Sequence, residues 1–348
     1  MDLRKSLIIL VCSLSITCIS CGSDDFFEDD VIILRNDSIH NNGENNHNND
    51  STTTDSTKTN INPYTNPTNN TENNSYNIDS LFTDTTSVVS ITGFSKYMNQ
   101  SSSGSVQGAA AYGDYLFQFQ DQNKAVYIYN LAKKSLVKKI TLTPNSSNHC
   151  NQASFSDIFY SDEDKFPLLY VSGSGNKDHN HIQVYRITGE EETIDITQIQ
   201  EIILPSRNSD NMCYYTCSIL DNENHYLYAY ASNASTRLIK FNIPDLQQDT
   251  VKLTDSDIIE YILVDHIDHQ QGGIIKDGIF YMIYGVPGWG DLVWLRLFDL
   301  VAKKEIIRYN LSEKKFTGEP ESIFFYKNEL YAATNNSGIY KIMFAKKL

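Results

Sequence analysis

The sequence predicts an all-β fold: a β-propeller of five four-stranded blades, closed by an N-terminal strand and preceded by a disordered tether. Three observations predict it. From about Ser87 to Leu348, Tyr, Phe, Ile, Val and Leu fall in short alternating runs separated by Gly, Asn, Asp and Lys, which is the pattern of strands and turns. No segment sustains a helical period. A four-strand phrase recurs at a spacing of roughly 45–60 residues, the size of one propeller blade.

The first block reads Gly108–Gln120, then Ala125–Leu131, then Lys134–Leu142. The second is Ala153–Tyr160, Leu168–Gly173, Ile182–Ile187 and Thr197–Leu204. The third is Tyr215–Asp221, Tyr226–Ser232 and Thr236–Ile243, followed by a less clear fourth strand. The fourth is Gly272–Gly278, Ile279–Gly285, Asp291–Leu300 and Lys303–Leu311. The last is Glu321–Asn328, Glu329–Asn335 and Gly338–Phe344, where the sequence ends one strand short. A strand at Val88–Phe94 precedes the first block and has no partner of its own. Pairing that strand with the last block accounts for both facts and leaves no open edge at the seam.

The expected organisation is a signal peptide over 1–20, an acidic Asn/Ser/Thr-rich tether over 21–86 and the β-propeller domain over 87–348. Arg4 and Lys5 precede the apolar run Leu7–Ile16, which is shorter than the roughly 20 residues a spanning helix needs. Cys18-Ile19-Ser20-Cys21 follows. Residues 36–84 hold almost no aliphatic side chains, so they cannot bury enough apolar surface to offset the entropy of ordering. Residues 22–100 carry twelve acids and three bases, the larger part of a net charge of −15. Such a balance argues against a nucleic-acid partner.

The Ser20-Cys21 junction resembles the lipobox of bacterial lipoproteins, although Cys18 stands where that family usually has Leu. The resemblance implies cleavage before Cys21 and lipidation of its thiol. The acidic run Asp24-Asp25-Phe26-Phe27-Glu28-Asp29-Asp30 is similar to the surface-export signal of Bacteroidetes lipoproteins. It implies an outer-membrane protein facing the cell exterior, with lipid as its membrane contact. Asp followed by Ser or Thr recurs at Ser38, Ser51, Ser56, Ser80 and Thr85 and resembles the O-glycosylation motif of exported Bacteroidetes proteins. The strand layout resembles the propeller lipoproteins of the YncE and TolB type, which implies architecture and little about function.

Candidate site residues sit where the inner strands begin. Gln107, His149, Asn151, Gln271, Glu319 and Glu321 each precede or open an apolar strand. Together they form a polar ring at one channel mouth, suited to a glycan, a peptide or a partner protein. Trp289, after Pro-Gly in a turn, is the candidate for stacking on a sugar, while Trp294 alternates within a strand and belongs to the core. Non-catalytic binding is the leading reading. A polysaccharide hydrolase using Glu319 and Glu321, two residues apart on one strand face, is one alternative, and a structural part of an envelope complex is another.

No metal or cofactor is expected. Asp178-His179-Asn180-His181 is read as a solvated polar loop, and no nucleotide-binding or nucleophile motif is present. The three remaining thiols, Cys150, Cys213 and Cys217, are expected to be reduced and buried, with a Cys150–Cys213 bridge as the alternative.

Overall fold

The protein is described by a computed structural model covering residues 89–346, except 103, 122–124, 143–148, 174–178, 207–215, 232–236, 265–268, 317 and 336. The expected signal peptide, Cys21, the tether and its candidate glycosylation sites lie outside these residues.

Five small sheets follow one another along the chain. Blade I contains β2 (Val106–Tyr112), β3 (Tyr115–Gln120), β4 (Ala125–Asn130) and β5 (Ser135–Thr141). Blade II contains β6 (Gln152–Phe155), β7 (Leu169–Gly173), β8 (His179–Thr188) and β9 (Asp195–Ser206). Blade III contains β10 (Thr216–Asp221), β11 (Tyr226–Ala231), β12 (Arg237–Asn242) and β14 (Glu260–Leu263). Blade IV contains β15 (Gln270–Lys276), β16 (Ile279–Tyr284), β17 (Trp294–Asp299) and β18 (Lys304–Asn310). Blade V contains β19 (Pro320–Tyr326), β20 (Glu329–Thr334) and β21 (Ile339–Lys346), and β1 (Val89–Met98) supplies its outer strand. The closing strand runs four residues beyond the expected Phe94 and pairs with β21 from Val89↔Lys346 to Met98↔Ile339.

The apolar core is divided into five wedges, one between each pair of neighbouring blades. The middle strands explain why. On β16, Phe280 and Met282 face blade III, while Tyr281 and Ile283 face blade V. On β20, Leu330 and Ala332 face blade IV, while Tyr331 and Ala333 face blade I. Both faces of such a strand are buried, so period-two alternation sorts residues between two cores rather than between core and water. The wedge between blades V and I, with Met98, Leu116, Tyr129 and Tyr331, completes the ring.

One strand departs from the expected four per blade. The long connection from β12 to β14 carries β13 (Thr250–Lys252), which pairs in parallel with β9 of blade II. It gives blade II a fifth strand and covers its outer edge, a common protection against edge-to-edge pairing. The first expected strand of blade II, Ala153–Tyr160, is also cut short. It ends at Phe155, because Ser156 turns the chain by bonding Ile158 O and Leu168 O through its hydroxyl.

At the centre the inner strands approach one another closely. A Cβ on Gly272 would lie 2.7 Å from Ser322 Cα and 2.9 Å from Glu321 O, both backbone atoms of the next blade. Gly272→Ala is therefore expected to force two blades apart and cost about 1–3 kcal/mol. Gly288→Ala, where a Cβ meets nothing within 4 Å, should change stability by less than about 0.5 kcal/mol. Urea unfolding of the two variants checks the contrast, and equal midpoints would show that the centre is loosely packed.

Candidate functional site

The inner strands all enter the ring from the same end, and three of them bulge there. On β2 the pairing with β3 skips Gln107 and Gly108. On β15 the pairing with β16 skips Gln271, and on β19 the pairing with β20 skips Glu321. A bulge leaves its extra residue outside the ladder and re-aims its side chain. Three of the six ring candidates are bulge residues.

A hydrogen-bond chain joins the entries of blades V, I and II. Asn335 Nδ2 donates to Glu319 Oε2 at 3.2 Å and to Ser105 Oγ at 3.3 Å. Gln107 Nε2 donates to the same Ser105 Oγ at 3.2 Å. The Ser105 carbonyl accepts from Asp121 N–H at 2.9 Å, and Asp121 Oδ1 lies 2.7 Å from His149 Nδ1. Between blades I and II, Gly108 N–H donates to Cys150 O at 2.7 Å.

Below this chain the axis is bridged. Gln152 Nε2 donates to Gly273 O, and Gly273 N–H donates to Gln152 Oε1, both at 2.9 Å. The side-chain amide of blade II thus pairs with the backbone of blade IV across the centre.

The six ring candidates divide by depth. Gln107, Asn151 and Glu321 are buried floor residues, and Glu321 is only 1% exposed. His149, Gln271 and Glu319 are half-buried. Glu321 is the most perturbed group of the site. Burial, and then the carboxylates of Glu319 and Asp121, push its acid well above the usual carboxylate range, which favours its neutral form. Its Oε1 has no hydrogen-bond partner, and neither has Nε2 of the neighbouring buried Gln270. Glu319 lies before β19 rather than within it, and the bulge at Glu321 breaks the alternation between the two. The expected common strand face for Glu319 and Glu321 therefore does not exist.

Blade IV adds the aromatic element. Trp289 is 67% exposed in the loop between β16 and β17, on the same end as the bulges. His269 fixes that loop. Its carbonyl accepts from Gly285 N–H at 3.0 Å, its Nδ1 lies 2.5 Å from Asp291 Oδ2, and its ring meets Trp289 edge-on at 4.9 Å. Trp294 packs against the wedge between blades III and IV, as expected.

A further expectation changes. His181 is not in a polar loop: it lies in β8, with Nδ1 2.8 Å from Glu201 Oε1 on β9. A cross-strand side-chain pair on the pleated sheet accounts for it. Of the three thiols, Cys150 and Cys217 are buried and unbridged, and burial pushes the Cys217 thiol up to about 12. Cys213 and the blade III entry lie outside the described residues. Gln152, Gln270, Asp121 and His269 were not among the ring candidates. Gln152 stands beside Asn151 in the sequence, and nothing in the local pattern distinguishes an amide that spans the axis from one that faces a turn.

No family model matches the chain, and no curated protein matches it. Among solved structures, glutaminyl cyclase from Myxococcus xanthus is 9% identical over 75% of this chain and 98% of its own, with a TM-score of 0.48. The PQQ-bound aldose sugar dehydrogenase from Streptomyces coelicolor is 12% identical over 72% of this chain and 79% of its own, with a TM-score of 0.38. Likenesses this remote carry no information on ligand or activity.

The buried acid sets a pH dependence. Its raised folded-state pKa means that the folded protein binds the proton more tightly than the unfolded chain. The associated stability is present below the unfolded pKa and is lost as pH rises toward the folded value. Glu321→Gln keeps the shape and removes the titration. Wild type and variant should therefore show a constant stability difference below about pH 4. Above it the variant should gain by up to about 1.4 kcal/mol per pH unit. Urea midpoints from pH 3.5 to 8 measure this, and a constant difference across that range would show that Glu321 is an ordinary ionised carboxylate.

Proposed function

We propose that the chain is a non-catalytic binding propeller that takes a glycan at the bulged end, displayed outside the cell by a lipid on Cys21. The exposed Trp289 ring, steadied by His269 on the end where the amides gather, is the observation that carries the reading. A large aromatic left in water costs apolar exposure, and next to hydrogen-bonding groups it matches the two surfaces of a sugar: an apolar ring face and a rim of hydroxyls. Gln271, Glu319 and His149 are the half-buried groups at this end and offer both donors and acceptors, as hydroxyls require.

One observation favours a hydrolase. The pKa of Glu321 is raised, the direction a general acid needs, beside carboxylates that face different surroundings. Its accessibility removes the argument. A carboxyl 1% exposed cannot reach a glycosidic oxygen without opening the floor, and Glu319 is tied to Asn335.

A glycan array probed with the purified protein tests the reading. Retention on a polysaccharide class is expected, with Trp289→Ala weakening it at least about tenfold and no release of reducing ends. Retention unchanged by Trp289→Ala would remove the stacking platform, and release of reducing ends would install the hydrolase. Labelling with radioactive palmitate, expected in the wild type and absent in Cys21→Ala, tests the anchor separately.

A further inference from the structure

We propose that the opposite end of the axis is a second binding site, for a small organic cation: a protonated amine carried on an apolar or aromatic body. This cup and the glycan reading rest on different residues, and neither needs the other.

All five inner strands line a cavity of about 380 Å³ beyond the Gln152–Gly273 bridge, within the range of small-ligand sites. Its walls are short: Ala109, Ala110 and Ala111 from blade I, Ala153 from blade II and Gly273 from blade IV. Small side chains on converging strands leave the space. Aromatic rings stand around it, with Phe155 and Phe159 centroids 5.5 and 6.3 Å from that of Tyr112.

Asp157 is the one charged residue of the lining, with no Lys or Arg among the described wall residues. Its charge is poorly compensated. Oδ1 has no hydrogen-bond partner, and Oδ2 lies 3.7 Å from Nδ1 of the His225 imidazole. The same carboxylate, after burial, contributes to raising the Tyr170 phenol. Asn222, also in the lining, spends its Nδ2 on Phe155 O and has no partner for Oδ1.

A carboxylate at the edge of an apolar, aromatic concavity selects by charge and by shape. An ammonium group meets the carboxylate and the faces of the rings, while the apolar body fills the Ala-lined wall. A neutral isostere gains only the second part, and an anion is repelled.

The test is calorimetric titration of the purified protein with phenethylamine, phenethyl alcohol and phenylacetate. The amine is expected to bind, the alcohol at least about tenfold more weakly, and phenylacetate not at all. Asp157→Asn should bring the amine down to the alcohol, and Ala111→Leu, which fills the wall, should weaken both. Glycan retention should be unchanged in either variant, which separates failure here from failure at the bulged end. Equal binding of amine and alcohol to the wild type overturns the charge assignment, whether or not the variants fold. No binding of the amine at millimolar concentration overturns the site.

Discussion

The pair of hydrogen bonds between Gln152 and Gly273 is the constraint around which the centre of the ring is organised. Each bond adds about 1 kcal/mol net, but breaking the pair strands buried donors and acceptors at a larger cost. The bridge can form only because the inner strands lie so close together. Gly108 and Gly272 stand where any side chain would strike the neighbouring backbone, and the seams are sewn by short contacts such as Ser322 Oγ to Ala109 O and Ser172 Oγ to Ser218 Oγ, both 2.7 Å. Among the described residues, the bridge lies across the axis of the five-bladed ring. The axis becomes two separate ends.

The two ends have opposite chemistry for a local reason. At the entry end, bulges turn Gln107, Gln271 and Glu321 out of their ladders, so polar side chains collect where a regular strand would place alternating apolar ones. At the exit end the inner strands carry Ala, Ile and Phe. Within the strands the polar groups of the described lining are Tyr112 and Ser154, and Ser156, Asp157 and Asn222 follow where the chain has left the strand. The raised pKa of Glu321 follows from the first arrangement: a carboxyl forced into a closed floor beside two other carboxylates holds its proton more tightly.

The ring was legible in the sequence because its middle strands are apolar on both faces. Runs such as Phe280-Tyr281-Met282-Ile283 and Leu330-Tyr331-Ala332-Ala333 announce strands that serve two cores at once, and a lone strand before the first block, with a last block one strand short, announces the closure. The fourth strand of blade III was hidden, because the chain first leaves to form β13 on another blade. The site was legible only as composition. Amides and carboxylates at strand entries mark the right end of the ring. The bulges that decide their depth, and the reach of Gln152 across the axis, depend on register and on neighbours far apart in the sequence, 121 residues for Gln152 and Gly273. The cup was not visible at all: Ala109-Ala110-Ala111 reads as an unremarkable stretch of strand until four other strands converge on it.

Accessibility, more than the number of carboxylates, separates the possible activities of such a ring. Glu319, Glu321 and Asp121 gather closely enough to shift one of them, which in an open cleft would be the beginning of acid–base chemistry. Here the shifted group is sealed, and its neighbours are already engaged, Glu319 by Asn335 and Asp121 by His149. The same sealing that raises the pKa of Glu321 keeps substrate away from it. What remains open at that end is the rim, with Trp289 raised beside it. On the proposed binding function, a polar rim around an aromatic face recognises without reacting, and the floor would hold that rim in shape.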